Sequence, residues 1–229
     1  MPFSLSADDW QAIALTLKLS CIVTLILLML CTPLALWLSH NKSRLAVLVQ
    51  TLSALPLVLP PTVLGFYCLL LLSPTGIIGQ YSHYFDLHSF AFSFAGIVFA
   101  SCLYSLPFVL QPLINTFSLL NQRTLETAST LQASPFDVFI SIILPQSKLG
   151  FISAAILGFA HTMGEFGVIL MVGGNIKGDT RVASLQIYEH VESLNFAQAH
   201  GVSFVLLVLS FVVLFCMYSL GHKQSVFHP

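Results

Sequence analysis

The sequence predicts an all-α integral membrane protein with about five transmembrane helices. Hydrophobic residues make up 56% of the 229 and charged residues only 7%, against about a quarter charged in a soluble domain. Five mainly apolar runs, at about 11–38, 45–72, 90–114, 147–172 and 198–220, each reach the roughly 20 residues that cross a bilayer as a helix. A polar, helix-prone insertion at 121–146 separates the third run from the fourth. The net charge of −1 gives no basic face for nucleic acid. Cys21, Cys31, Cys68, Cys102 and Cys216 all lie in apolar runs and read as small hydrophobes rather than a disulfide framework.

The first run is flanked by Asp8 and Asp9 rather than the basic residues of a signal peptide, and reads as a true span. Five spans put the termini on opposite sides, so the Lys/Arg distribution chooses between the two orientations. With the N-terminus outside, the inner segments hold Lys42, Arg44, Arg123, Lys148 and Lys223, and the outer ones only Lys177 and Arg181. The expectation is therefore N-out/C-in, with the polar insertion inside.

The second run contains Pro56, Pro60 and Pro61 in LPLVLPPTVLG, and the third Pro107 and Pro112 in LPFVLQP. Proline removes a backbone donor and clashes with the preceding turn, so these helices should bend or break. Such prolines either kink the helices for packing or line a wet pathway, the two settings in which freed carbonyls are tolerated within a bilayer. In the last outer segment, 174–197, Val182, Leu185, Tyr188, Val191 and Leu194 recur every third residue after Thr180. That spacing predicts a surface helix capped by Thr180, packing on the bundle or facing a partner.

Within the insertion, Ser134, Pro135 and Asp137 give a cap, a first helical residue and a first-turn acid, so a helix starts at 135. Phe136, Phe139, Ile140 and Ile143 then share a face before Pro145. A shorter helix around Glu126 and Ala128 should meet it near Gln132–Ser134. The pair either caps its own bundle or enters a groove on another protein.

Glu126, Ala128, Ile142, Leu144 and Pro145 match in register the cytoplasmic signature of type I ABC-importer permeases, which the segment resembles. Thr127 and Gln132 stand where that signature has alanine and glycine. HTMGEFG at 161–167 resembles the Gly-Glu-Phe-Gly motif of the molybdate, tungstate and sulfate permeases, and LPLVLPPTVLG and SPTGIIG look like the same group, most closely the molybdate permeases. The resemblance implies a type I permease fold in the bacterial inner membrane, with Glu126, Ala128, Gln132, Ile142, Leu144 and Pro145 coupling to an ATPase. It further implies two ATPase copies, a periplasmic oxyanion-binding protein, a second copy of the chain and surrounding membrane lipid as partners. No cofactor is implied, and ATP hydrolysis falls to the partner chain.

Lys18, Pro60, Pro61, Gly164, Glu165 and Gly167 are the candidate pathway or gate residues, because ionisable groups and glycines deep in spans mark functional interiors. Lys18 and Glu165 lie at similar depth and either pair with each other or serve separately, Glu165 as gate architecture or as a substrate contact. His161, one turn before Glu165 on the same face, reads as a hydrogen-bonded core residue. GGNIKGDT at 173–180 mimics a phosphate loop but carries Asp179 in place of its lysine, and no cluster of nucleophile, base or metal ligands suggests an enzyme. A channel or secondary transporter would call for coupling-ion residues and paired broken helices; the sequence offers a lone carboxylate and no repeat.

Overall fold

The computed structural model describes residues 5–84, 90–121, 128 and 130–225. All regular structure among them is helical. Helix α1 (Ala7–His40) opens with a capping box. Asp9 N–H donates to Ser6 Oγ at 3.2 Å, and Ser6 N–H donates to Asp9 Oδ2 at 2.8 Å, a device worth about 1 kcal/mol. Its 34 residues give a length of about 51 Å, well beyond a hydrocarbon core of about 30 Å.

The second apolar run does not form one helix. Helix α2 (Arg44–Ala54) ends in a 3-10 turn at Leu55–Leu57, and α3 (Pro61–Leu72) restarts after Pro60. Three prolines within six residues remove the donors an unbroken ladder needs, whereas Pro61 suits the first position of the new helix. After α4 (Ile77–Tyr84) comes α5 (Phe94–Ser118), capped by Ser93 and continuous through Pro107 and Pro112. Of the bend or break expected there, the break does not occur.

The insertion helix α6 (Pro135–Val138) starts where the sequence places it, with Ser134 Oγ accepting from Asp137 N–H at 3.1 Å. It runs through a π turn at Phe139–Ile143 into α7 (Leu144–Met163). In that turn Leu144 N–H bonds the Phe139 carbonyl, five residues back, and the widened turn accommodates Pro145 without a stop. The fourth run, expected unbroken to 172, stops at Met163 and resumes as α8 (Gly167–Gly173). A short helix α9 (Ala183–Glu192) and the final span α10 (Phe196–Ser225) complete the chain. Five helical stretches are long and apolar enough to cross a membrane: Ala7–His40, Pro61–Gln80, Phe94–Ser118, Pro135–Met163 and Phe196–Cys216.

The core lies where α1, α5 and α7 pack on one another, around Leu19, Val23, Leu27, Val109, Leu113 and Phe117. Helices α3 and α8 form a second seam beside α5. A side chain at Gly65 would come within 2.8 Å of Met171 Cβ and 3.2 Å of Val168 Cα, so its absence sets how closely that seam can close.

The every-third-residue pattern holds for the start of α9, where Val182 and Leu185 are buried, and fails beyond it. Ala183, Leu185, Gln186 and His190 turn inward, whereas Tyr188 and Val191 stay about 40% exposed and Leu194 76%. Polar bonds choose the face. Asp9 Oδ1 accepts from Gln186 Nε2 at 2.9 Å and from His190 Nε2 at 2.7 Å, and Ala183 N–H donates to Thr16 Oγ1 at 2.8 Å. Thr180 is not the cap, which is Val182; its hydroxyl accepts from Ile176 N–H and donates to the Gly173 carbonyl. Asp9 is fully buried, so Asp9→Ala strands two buried donors and should cost about 2–3 kcal/mol. The check is the thermal unfolding midpoint of the detergent-solubilised chain, which should fall well below that of wild type.

Candidate functional site

The two broken spans meet. Helices α3 and α8 run in the same direction, with Pro61 against Gly167 and Gly65 against Val168 and Met171. A Cβ at Gly167 would stand 3.0 Å from Pro61 Cβ and 3.8 Å from Thr62 N. Beside this crossing lies a cavity of about 580 Å³, lined by Pro61, Thr62, Tyr104, His161, Glu165 and Gly167 among others. A second cavity of about 370 Å³ flanks the α2 side of the other break, where Gln50, Thr51 and Gln111 supply polar groups. Irregular backbone at such depth is tolerated where it is buried in protein or lines a wet cavity, and both breaks have one.

The α7–α8 break has its own support. Gly164 N–H bonds back to the Ala160 and His161 carbonyls, and Glu165 N–H to Thr162, closing the end of α7. The Glu165 carbonyl accepts from Ser184 Oγ at 2.6 Å, so α9 props the break from outside. Phe166, the residue before α8, sets its ring 5.4 Å from that of Tyr188.

Glu165 is only 3% exposed, its carboxyl oxygens have no accessible surface, and the hydroxyl of Ser101 on α5 stands beside them as the neighbouring donor. The pairing with Lys18 is not found. Lys18 sits on the exposed side of α1 with Nζ 4.6 Å from the centre of the Phe94 ring, a cation–π contact. Similar depth did not settle which way each side chain points: α1 turns Thr16, Leu19 and Ser20 inward, which carries Lys18 outward. His161 stacks on Phe108 with centroids 3.7 Å apart, and its Nδ1 lies 2.9 Å from Ser105 Oγ. Thr162 Oγ1 donates to the Gly158 carbonyl, so Ser105 donates to Thr162 and His161 Nδ1–H donates to Ser105.

In the insertion, Ala128 is buried and Gln132 has φ 55°. This is the left-handed conformation a glycine adopts freely, at a cost of about 1–2 kcal/mol for other residues. The chain therefore makes the glycine turn without the glycine. Glu126 and Thr127 lie outside the described residues. Leu131, Phe136 and Ile140 are 76%, 69% and 45% exposed. Ile143 is buried and Phe139 half-buried, so the face expected to be shared is split by the π turn. Ile142 is half-buried, and Leu144 and Pro145 stand exposed at the start of α7.

Residues 31–224 match the family of binding-protein-dependent transport system inner membrane components. The chain belongs to this family. The molybdenum transport system permease protein ModB of Azotobacter vinelandii is 52% identical over 215 residues, covering 94% of this chain and 95% of that protein. Its counterpart from Haemophilus influenzae is 34% identical over 184 residues, covering 79% and 80%. Among solved structures, a chain of a bacterial alginate ABC transporter in complex with alginate pentasaccharide-bound periplasmic protein superposes with a TM-score of 0.75 at 19% identity. That match covers 96% of this chain and 80% of that one, and establishes the shared fold. Members of the family are multi-pass transport components rather than enzymes.

The apolar tips of the insertion could be seen in the sequence, whereas the Asp9–Gln186–His190 cluster was missed. Its signals were the Ser6-x-x-Asp9 box and the i, i+4 pair of Gln186 and His190. Thr62 and Tyr104, both lining the cavity, carried no sequence signal. For the turn, Gln132→Gly should keep co-purification with the ATPase, since glycine adopts this φ without strain. Gln132→Val, β-branched in a left-handed position, should reduce that recovery several-fold. Pull-down from solubilised membranes reads both.

Proposed function

We propose that this chain is the membrane-spanning subunit of an ATP-driven molybdate importer. Two copies form the pathway, a periplasmic binding protein delivers the oxyanion, and two ATPase subunits on the cytoplasmic face supply energy. The observation that carries the reading is the ModB similarity, which runs almost end to end in both chains. The geometry supports it. The insertion presents Leu131, Phe136 and Ile140 to the surroundings, as a segment seated in another protein requires. Gln132 supplies the sharp turn between its halves.

Closure of the ATPase pair would press on α6, which passes without a stop through the π turn into α7 and so to the break at Gly164–Phe166. This rigid path links the coupling segment to the gate. The permease contributes no chemistry; it converts ATPase closure into a switch between inward- and outward-open states. The N-out/C-in orientation follows from the Lys/Arg distribution and places α9 in the periplasm.

The test is reconstitution in vesicles with the ATPase and the binding protein. Molybdate-loaded binding protein should raise ATP hydrolysis several-fold, and Glu126→Lys should lower ATPase recovery while leaving membrane insertion intact. Stimulation by sulfate or tungstate alone would reassign the cargo, and no stimulation by any oxyanion would refute the importer reading. For orientation, an impermeant amine reagent added to right-side-out vesicles should label Lys177 and leave Lys148 unlabelled; the opposite pattern would reverse the topology.

A further inference from the structure

Lys18 carries a charge that no acid answers among the described residues. It lies well inside α1, with about 16 Å of helix between it and Ala7. Its side chain points away from the core, and Nζ stands 4.6 Å from the centre of the Phe94 ring. Phe94 is the first residue of α5, whose 25 residues extend about 37 Å, little more than a hydrocarbon core of about 30 Å. The ammonium therefore reaches the headgroup edge of the span, where a long basic side chain delivers its charge. The acids at this end of the chain are held elsewhere, Asp8 by Lys177 and Asp9 by His190, each at 2.7 Å. An ionised group at the edge of hydrocarbon calls for a counter-charge, and here the protein supplies only a ring face.

The same face of α1 continues inward from Lys18 as an apolar groove. Trp10, Ala14, Lys18, Cys21 and Leu25 follow one another at helical spacing, which keeps them on one side of the helix, and all five are exposed. Trp10 stands nearest the N-terminus, where its amphipathic ring suits the headgroup level. Below Lys18, Cys21, Leu25 and Leu28 form one wall of a groove of about 470 Å³, opposite Phe159 of α7 and Val212 and Cys216 of α10. Its accessible wall is wholly apolar. Cys21 and Leu28 lie about 5 and 15 Å along the axis from Lys18, so cation and groove together have the reach of one lipid, a headgroup and the chain that hangs from it. We propose that this face binds a single anionic phospholipid, its phosphate on the Lys18 ammonium and one acyl chain in the groove between α1, α7 and α10. The inference goes beyond the importer reading and does not depend on the cargo. A groove alone would accept any acyl chain; the cation at its end selects an anionic headgroup. Helix α10 packs mainly on α9 and α7 and barely touches α1, so a chain in the groove fills the gap and holds the last span to the bundle.

The experiment is photolabelling of the full chain in nanodiscs of phosphatidylcholine containing a minor share of phosphatidylglycerol with a diazirine in its acyl chain. Labelled peptides should cover Cys21–Leu28 and Val212–Cys216 in excess over the exposed α3 residues Phe66 and Leu70. Unlabelled phosphatidylglycerol should compete, and a phosphatidylcholine probe with the same chain should label the groove several-fold less. Lys18→Gln should lower phosphatidylglycerol labelling of the groove about fivefold, the worth of one cation beside an anionic lipid, and bring the two probes level. Lys18→Arg should keep wild-type labelling. Ala155→Phe, on the α7 wall, fills the groove and should remove labelling by both probes. Added phosphatidylglycerol should also raise the thermal unfolding midpoint of the solubilised wild type more than that of Lys18→Gln.

The inference is overturned if the two probes label the groove equally in wild type, or if Lys18→Gln labels like wild type, since the headgroup charge would then have no part. It is also overturned if the groove stays unlabelled while Phe66 and Leu70 react, because something other than lipid, such as a second copy of the chain, would then cover it. If Ala155→Phe does not fold, the Lys18 series decides alone, its side chain being exposed and outside the packed core.

Discussion

A backbone group released from its helix inside a membrane must find a partner in the protein, because the lipid offers none. In this chain that constraint converges on the Glu165 carbonyl, where α7 has ended and α8 has yet to begin, and where Ser184 supplies the missing donor at 2.6 Å. The neighbouring residue Ala183 bonds Thr16 of α1, and the far end of α9 bonds Asp9. One short helix thereby ties the longest span to the interruption in the fourth. Without α9 the break would be an exposed defect; with it, the break is a defined element.

The second interruption obeys the same rule by other means. Prolines at 56, 60 and 61 divide the second span and leave α3 to start afresh. Its first turn packs on Gly167, the first residue of α8. Each break thus lies against the other, with a cavity beside them. The continuous core of α1, α5 and α7 is filled by Leu19, Val23, Leu113 and Phe117, and the α6–α7 rod connects the insertion to the break at Gly164–Phe166.

Much of this was legible in the residues. Hydropathy gave the number of spans, Ser134 and Pro135 gave the start of α6, and the proline cluster at 56–61 gave the first break. Pro107 and Pro112 carry the same signal, yet α5 continues through them. Pattern alone does not say whether surrounding packing can hold a helix together after a donor is lost. The second break and the inward face of α9 were hidden for a related reason: both depend on long-range polar bonds, Ser184 to Glu165 and Gln186 to Asp9, which hydropathy periodicity cannot register. Lys18 and Glu165 show the limit of depth as a guide, since pairing also needs facing directions, and rotation about the α1 axis decides those.

In the proposed importer the gate at Gly164–Phe166 works by parting the starts of α3 and α8, which pack on each other through Pro61 and Gly167. In a chain freed of its native cysteines, Pro61→Cys with Gly167→Cys brings two Cβ positions to 3.0 Å, so that a small parting of the helix starts reaches the roughly 3.5–4.5 Å of a disulfide. Oxidising this pair in the reconstituted complex should stop molybdate uptake, and reduction should restore it. Undiminished uptake through the cross-linked complex would show that the two helix starts do not part, and the gate would have to lie elsewhere.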